Sequence, residues 1–290
     1  MLRHYRSKSM DQYDMLLPES NWVAPTELPD LSQCFEVAID TETKDNCLTA
    51  GYGPGFFKKA GYILGISVAF SNQAMYFPMR HEGTQNFDLE TMRRWLKQLI
   101  SQSHTRFIFH NFAYDWGWIQ ATFNLKPPDL LDDTGAMASM IDENQFSFSL
   151  DSLCKWQGIE GKDEQLLRTA ANCYNIPKTE HDLKANLWRM AAKYVGIYAE
   201  ADARQTLTLA RKLRPILADE GLDHAYQIER DLMPLTLRMK QRGIRVDANK
   251  AEKLAKKLDL QCQDAMLNMS RELGTSVGIA EIRSNRWLEK

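Results

Sequence analysis

Phe35-Glu36-Val37-Ala38-Ile39-Asp40-Thr41-Glu42-Thr43 is the stretch on which the reading of this chain turns. Phe35 to Ile39 is apolar and β-branched enough for a buried central strand. Two carboxylates, one residue apart, follow it. Strand side chains alternate between faces, so Asp40 and Glu42 point one way and Thr41 the other. Two unit charges about 4 Å apart repel by roughly 4 kcal/mol at an effective dielectric near 20. A core strand ending in that pair needs a cation, or a proton retained by desolvation, to offset the repulsion. Hard oxygen donors in this arrangement suit magnesium or manganese. A strand running into a solvated acidic turn would look the same. The decision therefore rests on whether other segments bring carboxylates to the same point.

The surroundings read as a mixed α/β sheet. Tyr62–Phe70 and Ala74–Met79 are β-rich runs separated by Ser71-Asn72-Gln73, which predicts a hairpin. Leu89, Met92, Leu96 and Leu99 recur at helical spacing behind Asp88, predicting a helix with Asp88 as its N-cap. Arg106–His110 is a further short buried strand. Residues 44–61 read as a long loop without Gly-x-Gly-x-x-Gly or a Gly-Lys-Ser/Thr ending, which excludes a nucleotide phosphate loop. Phe56-Phe57-Lys58-Lys59 within it either anchors the loop or stacks on nucleic acid.

More carboxylates do arrive. The strand ending at His110 empties into Asn111-Phe112-Ala113-Tyr114-Asp115, where Asn111 and Asp115 are spaced i, i+4 at the carboxyl end of a strand. Asn111 as N-cap and Asp115 as a first-turn carboxylate is the structural alternative. Asp133-Thr134 and Ser149–Gln157 open further helices. Residues 164–217 are mostly helical, broken around Pro177, and carry Tyr198 and Asp202 at i, i+4. Ala199, Ala201 and Ala203 keep that helix narrow enough to pack closely on a sheet. Four carboxylates and a phenol match a two-metal phosphodiesterase site.

Asp-x-Glu, then Asn-x-x-x-Asp, then Tyr-x-x-x-Asp resembles the DEDDy 3′–5′ exonucleases over roughly Phe35 to Leu217. The run from Ile228 to Asp247 looks like the connector between the exonuclease and polymerase domains of family A DNA polymerases, particularly phage ones. The resemblance implies an α/β fold, a ribonuclease H-like mixed sheet flanked by helices, with an N-terminal arm and a helical C-terminal extension. It divides the chain into an arm (1–34), an exonuclease domain (35–217) and a helical connector (218–290). It also implies two divalent ions, Mg2+ or Mn2+. Asp40, Glu42 and Asp202 would hold the ion carrying the attacking water, and Asp40 would bridge to the second. Asp115 would hold the second ion, and Tyr198 would orient the nucleophile. Thr41, Asn111 and Leu48 are the candidate substrate-binding residues, Leu48 as the apolar wedge for the terminal base. No histidine stands five residues before Asp202, as the DEDDh branch needs.

The implied function is a 3′–5′ exodeoxyribonuclease releasing nucleoside 5′-monophosphates from single-stranded DNA 3′ ends, the proofreading part of a family A polymerase. A polymerase domain or subunit is the implied partner. No polymerase site is read in the chain, which stops at Lys290, where that domain would begin. A ribonuclease D-like RNA 3′ exonuclease and a non-catalytic scaffold of the same fold are the rivals. The five cysteines form no C-x-x-C pair, so neither a zinc ribbon nor a disulfide framework is indicated. The chain has no run of 18 apolar residues, and a soluble, cytoplasmic protein is expected, in host cytoplasm if phage-encoded. From Arg204 onward basic residues outnumber acidic ones, 17 to 12, and before it acidic residues lead, 26 to 19. The acidic part holds the Asp40 stretch, and the basic part could face a polyanion.

Overall fold

The computed structural model describes residues 17–177 and 179–284. The first sixteen residues of the expected arm lie outside that range. The central strand β1 spans Glu36–Asp45, so it continues through both carboxylates instead of stopping at Ile39. Phe35 stays outside the strand, exposed and edge-on to His104. β1 pairs antiparallel with β2 (Gly61–Phe70), and β2 antiparallel with β3 (Gln73–Pro78). The two-residue turn Ser71-Asn72 closes the expected hairpin, with Phe70 opposite Gln73. On its other side β1 runs parallel to β4 (Arg106–Phe109), which runs parallel to β5 (Leu131–Asp133). The sheet order is β3-β2-β1-β4-β5.

The stretch expected as a long loop has structure of its own. It contains one helical turn, α1 (Asn46–Thr49), and a 3-10 turn at Gly55–Lys58. The Asp45 carboxylate holds both, accepting from the amides of Leu48 at 2.9 Å and Gly55 at 3.0 Å. Phe56 is buried edge-on to Trp118, over a glycine, Gly117, where any Cβ would strike its ring. The Phe56 side chain is therefore an anchor.

Helices cover both sheet faces, as parallel pairing requires. On one side lie α2 (Leu89–Ile100) and α3 (Phe112–Phe123). The Asp88 carboxylate caps α2 by accepting from the amides of Glu90 and Thr91, as expected. Met92, Leu96, Trp116 and Ile119 pack there with Val37, Ile39, Phe107 and Phe109. Strand alternation sends Ala38, Ala69 and Ile108 to the opposite face. That face is covered by α4 (Thr134–Ile141), α5 (Leu150–Trp156) and, beyond α6 (Gln165–Cys173) and α7 (Glu180–Ala185), the long helix α8 (Ala192–Asp219). Ala38 and Ala69 on the strands and Ala203 and Ala210 on α8 let backbone approach backbone.

The chain forms two compact units, one through Gln241 and one from Arg242. The first extends past residue 217 because α9 (Asp223–Arg242) buries Tyr226 and Leu237 within it. The Tyr226 hydroxyl accepts from the Asp133 amide at 2.9 Å and donates to Asp132 at 3.2 Å. The second unit holds α10 (Ala248–Leu273), capped by Asp247 and ended by Gly274 at φ 63°, and the short α11 (Ile279–Ile282). The Val277 amide returns to the Ser270 hydroxyl at 2.9 Å. No helix among the described residues is long and apolar enough to cross a membrane.

The described arm lies on α8 through its first residues, up to Trp22, and its later part packs beside α2, with Leu31 buried in the core on that face. The Tyr194 hydroxyl donates to the Pro18 carbonyl at 2.9 Å, and the Ser20 hydroxyl to that of Lys193 at 2.8 Å. The Trp22 indole sits against Gly196, where a Cβ would overlap it. Its Nε1–H donates to Glu200 Oε1 at 2.8 Å, and Glu200 also accepts from the Tyr76 amide of β3. The arm thus pins the helix carrying Tyr198 and Asp202 to the sheet. Trp22→Ala is expected to destabilise the protein by roughly 1–3 kcal/mol, from lost packing and a carboxylate that loses one of its two donors. Urea unfolding checks this, and a midpoint equal to wild type would contradict it.

Candidate active site

The site forms where β1 runs on beyond Ala38, the last residue it pairs with β4, while still paired with β2. Asp40 and Glu42 lie opposite Ser67 and Gly65 of β2, and the register shifts between Glu42 and Thr43. Such a bulge bends the strand and re-aims the side chains beside it. Asp40, Glu42, Tyr198 and Asp202 all line one cleft of about 410 Å³. Asp115, at 3% exposure, is tied to the Thr41 wall of the cleft. Its Oδ1 accepts from the Thr41 amide at 3.0 Å and the Thr41 hydroxyl at 2.6 Å. α3 packs on the face to which strand alternation sends Thr41.

Leu48 stands on α1 at the cleft, half exposed, presented by the Asp45 cap. Asn111 does not follow the helical spacing. It precedes α3 in the left-handed region at φ 70°, exposed, and does not line the cleft. The i, i+4 relation to Asp115 assumes helical backbone at both ends, and Asn111 lacks it.

Electrostatics mark the cluster as short of positive charge. Burial first, then the charge of Asp202, push the Asp40 carboxyl up to about 7. Burial, then Asp40 and Asp202, hold Glu42 well above the usual carboxylate range. For Asp115, burial and the Asp40 charge outweigh its two hydrogen bonds from Thr41. Asp202 is also raised by burial, although Lys162 and a hydrogen bond from the Tyr198 hydroxyl pull it back.

Lys162 was not legible as a site residue. It sits in the segment between α5 and α6, where no periodicity or motif marks it. Its Nζ lies 2.6 Å from Asp202 Oδ1, and burial, which alone would lower its pKa, is outweighed by Asp202, Asp151 and Glu164. His110, His181 and Lys184 line the cleft as well. Among the described residues, no three His, Cys, Asp or Glu side chains stand in ready-made positions to hold a metal ion. Asp202 is engaged by Lys162 and Asp115 by Thr41. The donor chemistry itself fits a divalent cation, because every acidic group is a hard oxygen donor held near mutual repulsion.

A five-stranded mixed sheet with acidic residues at the carboxyl end of its central strand and on flanking helices is the ribonuclease H-like nuclease fold. The sequence matches the 3′–5′ exonuclease family of family A DNA polymerases over residues 26–218, and the chain belongs to that family. The DNA-directed DNA polymerase of Pseudomonas phage M6 is 32% identical over 238 residues, 80% of this chain and 35% of that protein. The DNA polymerase DpoZ of Vibrio phage phiVC8 is 27% identical over 217 residues, 71% of this chain and 33% of that protein. The chain thus spans about a third of the length of the curated relatives it matches. Among solved structures, NrnC of Brucella melitensis superposes with a TM-score of 0.50 at 17% identity, covering 74% of this chain and 90% of that one. The POL domain of Pol1 from M. smegmatis superposes with a TM-score of 0.54 at 16% identity, covering 92% of this chain and 39% of that one. These two likenesses are likenesses of fold.

The raised Asp40 carboxyl has a consequence for stability. An unfolded-chain aspartate titrates near 4, whereas Asp40 in the fold titrates at about 7. The folded state therefore binds the extra proton between those values, and stability falls as pH rises through them. In EDTA, the melting temperature of the wild type should fall more between about pH 5 and about pH 7.5 than that of Asp40→Asn, which cannot ionise there. Superimposable pH profiles for the two proteins would contradict this.

Proposed function

We propose that this chain is a metal-dependent 3′–5′ exonuclease hydrolysing single-stranded DNA ends to nucleoside 5′-monophosphates, as the proofreading part of a family A DNA polymerase. The observation that carries this reading is the convergence of Asp40, Glu42, Asp202 and Tyr198 on one cleft, with Asp115 bonded to its Thr41 wall. Family membership supports 3′ hydrolysis, and relatives named as DNA polymerases support DNA as the substrate. Two divalent ions, Mg2+ or Mn2+, would activate water and stabilise the leaving oxygen when bound.

In this reading Asp40, Glu42, Asp115 and Asp202 would hold the ions. The Tyr198 hydroxyl, which donates to Asp202 and is buried beneath the cleft, sets the direction from which the nucleophile approaches. Leu48 at the cleft would abut the terminal base. Lys184 and His181 on α7 give the cleft the donors and positive charge that a phosphodiester requires. The partners are the 3′ end of a single strand and a polymerase domain or subunit.

Replacing Asp40 or Asp202 with Ala should lower the rate on a 5′-labelled single-stranded oligonucleotide by ~10²–10⁴-fold, about 3–5 kcal/mol of transition-state stabilisation. Circular dichroism should show the fold intact, because one repelling charge has been removed. Near-normal turnover by either variant would remove these residues from the mechanism. Tyr198→Phe keeps the ring and loses only the hydroxyl. Its rate should fall about 10-fold or more, roughly 1.4 kcal/mol, with Mn2+ affinity little changed. An equal loss of Mn2+ binding would make Tyr198 a structural support instead.

A further inference from the structure

Lys162 stands between two sets of carboxylates. Its Nζ is 2.6 Å from Asp202 in the cluster, and 3.4 Å from Asp151 and 3.7 Å from Glu164 outside it. The same ammonium is 3.5 Å from the Tyr198 hydroxyl and 4.4 Å from the centroid of its ring. The lysine side chain is only 5% exposed, so little water is available to replace any of these partners. Asp151 lies in the first turn of α5 and Glu164 precedes α6. Asp151 lines the same cleft as Asp40, Glu42 and Asp202, Glu164 also pairs with Arg168, and both face the Lys162 ammonium.

Charge explains why a lysine would be given two places to go. Without a metal ion, the ammonium offsets part of the repulsion among Asp40, Glu42 and Asp202. A divalent cation on Asp202 repels that ammonium, twice as strongly as a monovalent ion at the same distance. A lysine stem has four rotatable carbons and a compact head, so its charge can turn to a neighbouring carboxylate without backbone movement.

We infer that Lys162 is an exchangeable counter-ion: it holds Asp202 and Tyr198 in place in the metal-free cleft and passes to Asp151 and Glu164 when a divalent cation takes Asp202. The inference rests on the reading of the cluster as a divalent-cation site. Lys162 is thus a positioning residue, and Asp151 and Glu164 are the receptor for its charge.

The test measures Mn2+ binding by the electron paramagnetic resonance signal of the free ion, on the full chain near neutral pH without substrate. Lys162→Met removes the competitor for Asp202 and should tighten Mn2+ binding about 10-fold. Asp151→Asn combined with Glu164→Gln removes the receptor, confines the ammonium to Asp202, and should weaken Mn2+ binding several-fold. Opposite signs are the signature, since a lysine that merely braced the fold would weaken binding in both. Melting curves establish that each variant folds. If the double variant does not fold, Asp151→Asn alone, at a more exposed position, should still weaken binding. Wild-type uptake of Mn2+ with both variants unchanged, or both shifted the same way, overturns the exchange alone. No uptake by the wild type overturns the cation-site reading and the exchange together.

Discussion

The mutual repulsion of carboxylates gathered where β1 runs past its pairing with β4 is the constraint around which this structure is arranged. Asp40 and Glu42 are placed side by side by strand geometry, and α8, packed on the face to which they point, adds Asp202. Burial removes the water that would screen them, so each is held above the ordinary carboxylate range. A fold tolerates such a cluster only with compensation built in. Here that compensation is the Lys162 ammonium, the Thr41 donors to Asp115 and the Tyr198 hydroxyl on Asp202.

The rest of the fold holds these groups together against that repulsion. Parallel pairing with β4 fixes one side of β1, and the β2–β3 hairpin fixes the other. Alternation divides the apolar residues of β1 between two cores, so the strand cannot slip by one residue without exposing both. At the end away from the cleft, Arg214 bridges Glu36 of β1 and the buried Asp132 of β5, and Arg106 reaches Asp132 as well. The arm and Glu200 clamp α8 to β3 within two residues of Tyr198 and Asp202. Charge is therefore concentrated at one end of the sheet and neutralised at the other.

Much of this was legible because it follows from local periodicity. The Asp-x-Glu pair on a strand, the Ser71-Asn72 hairpin, the Asp88 cap and the spacing of Tyr198 and Asp202 each need only a few neighbouring residues to be read. What was not legible depends on backbone detail or distance in the chain. Asn111 looked like a partner for Asp115, but its left-handed backbone takes it off the helical cylinder. Residues 44–61 looked like a loop, because a single turn capped by Asp45 leaves no periodic trace. The extent of the first unit was hidden because Tyr226 and Leu237 are only two buried residues in a largely polar helix. Lys162 carries no motif, and only the long-range packing of its connecting segment on α8 brings it to Asp202.

The proposed role of this acidic cleft is to remove nucleotides from a 3′ terminus with the help of divalent cations. The most direct measurement is a time course of label release from single-stranded DNA and RNA oligonucleotides labelled at the 3′-terminal nucleotide, with Mg2+ and with EDTA. The expected result is early release of labelled deoxynucleoside 5′-monophosphate from DNA in Mg2+, slower release from RNA, and none in EDTA. Release that persists in EDTA, or label appearing first in longer internal fragments, would contradict it.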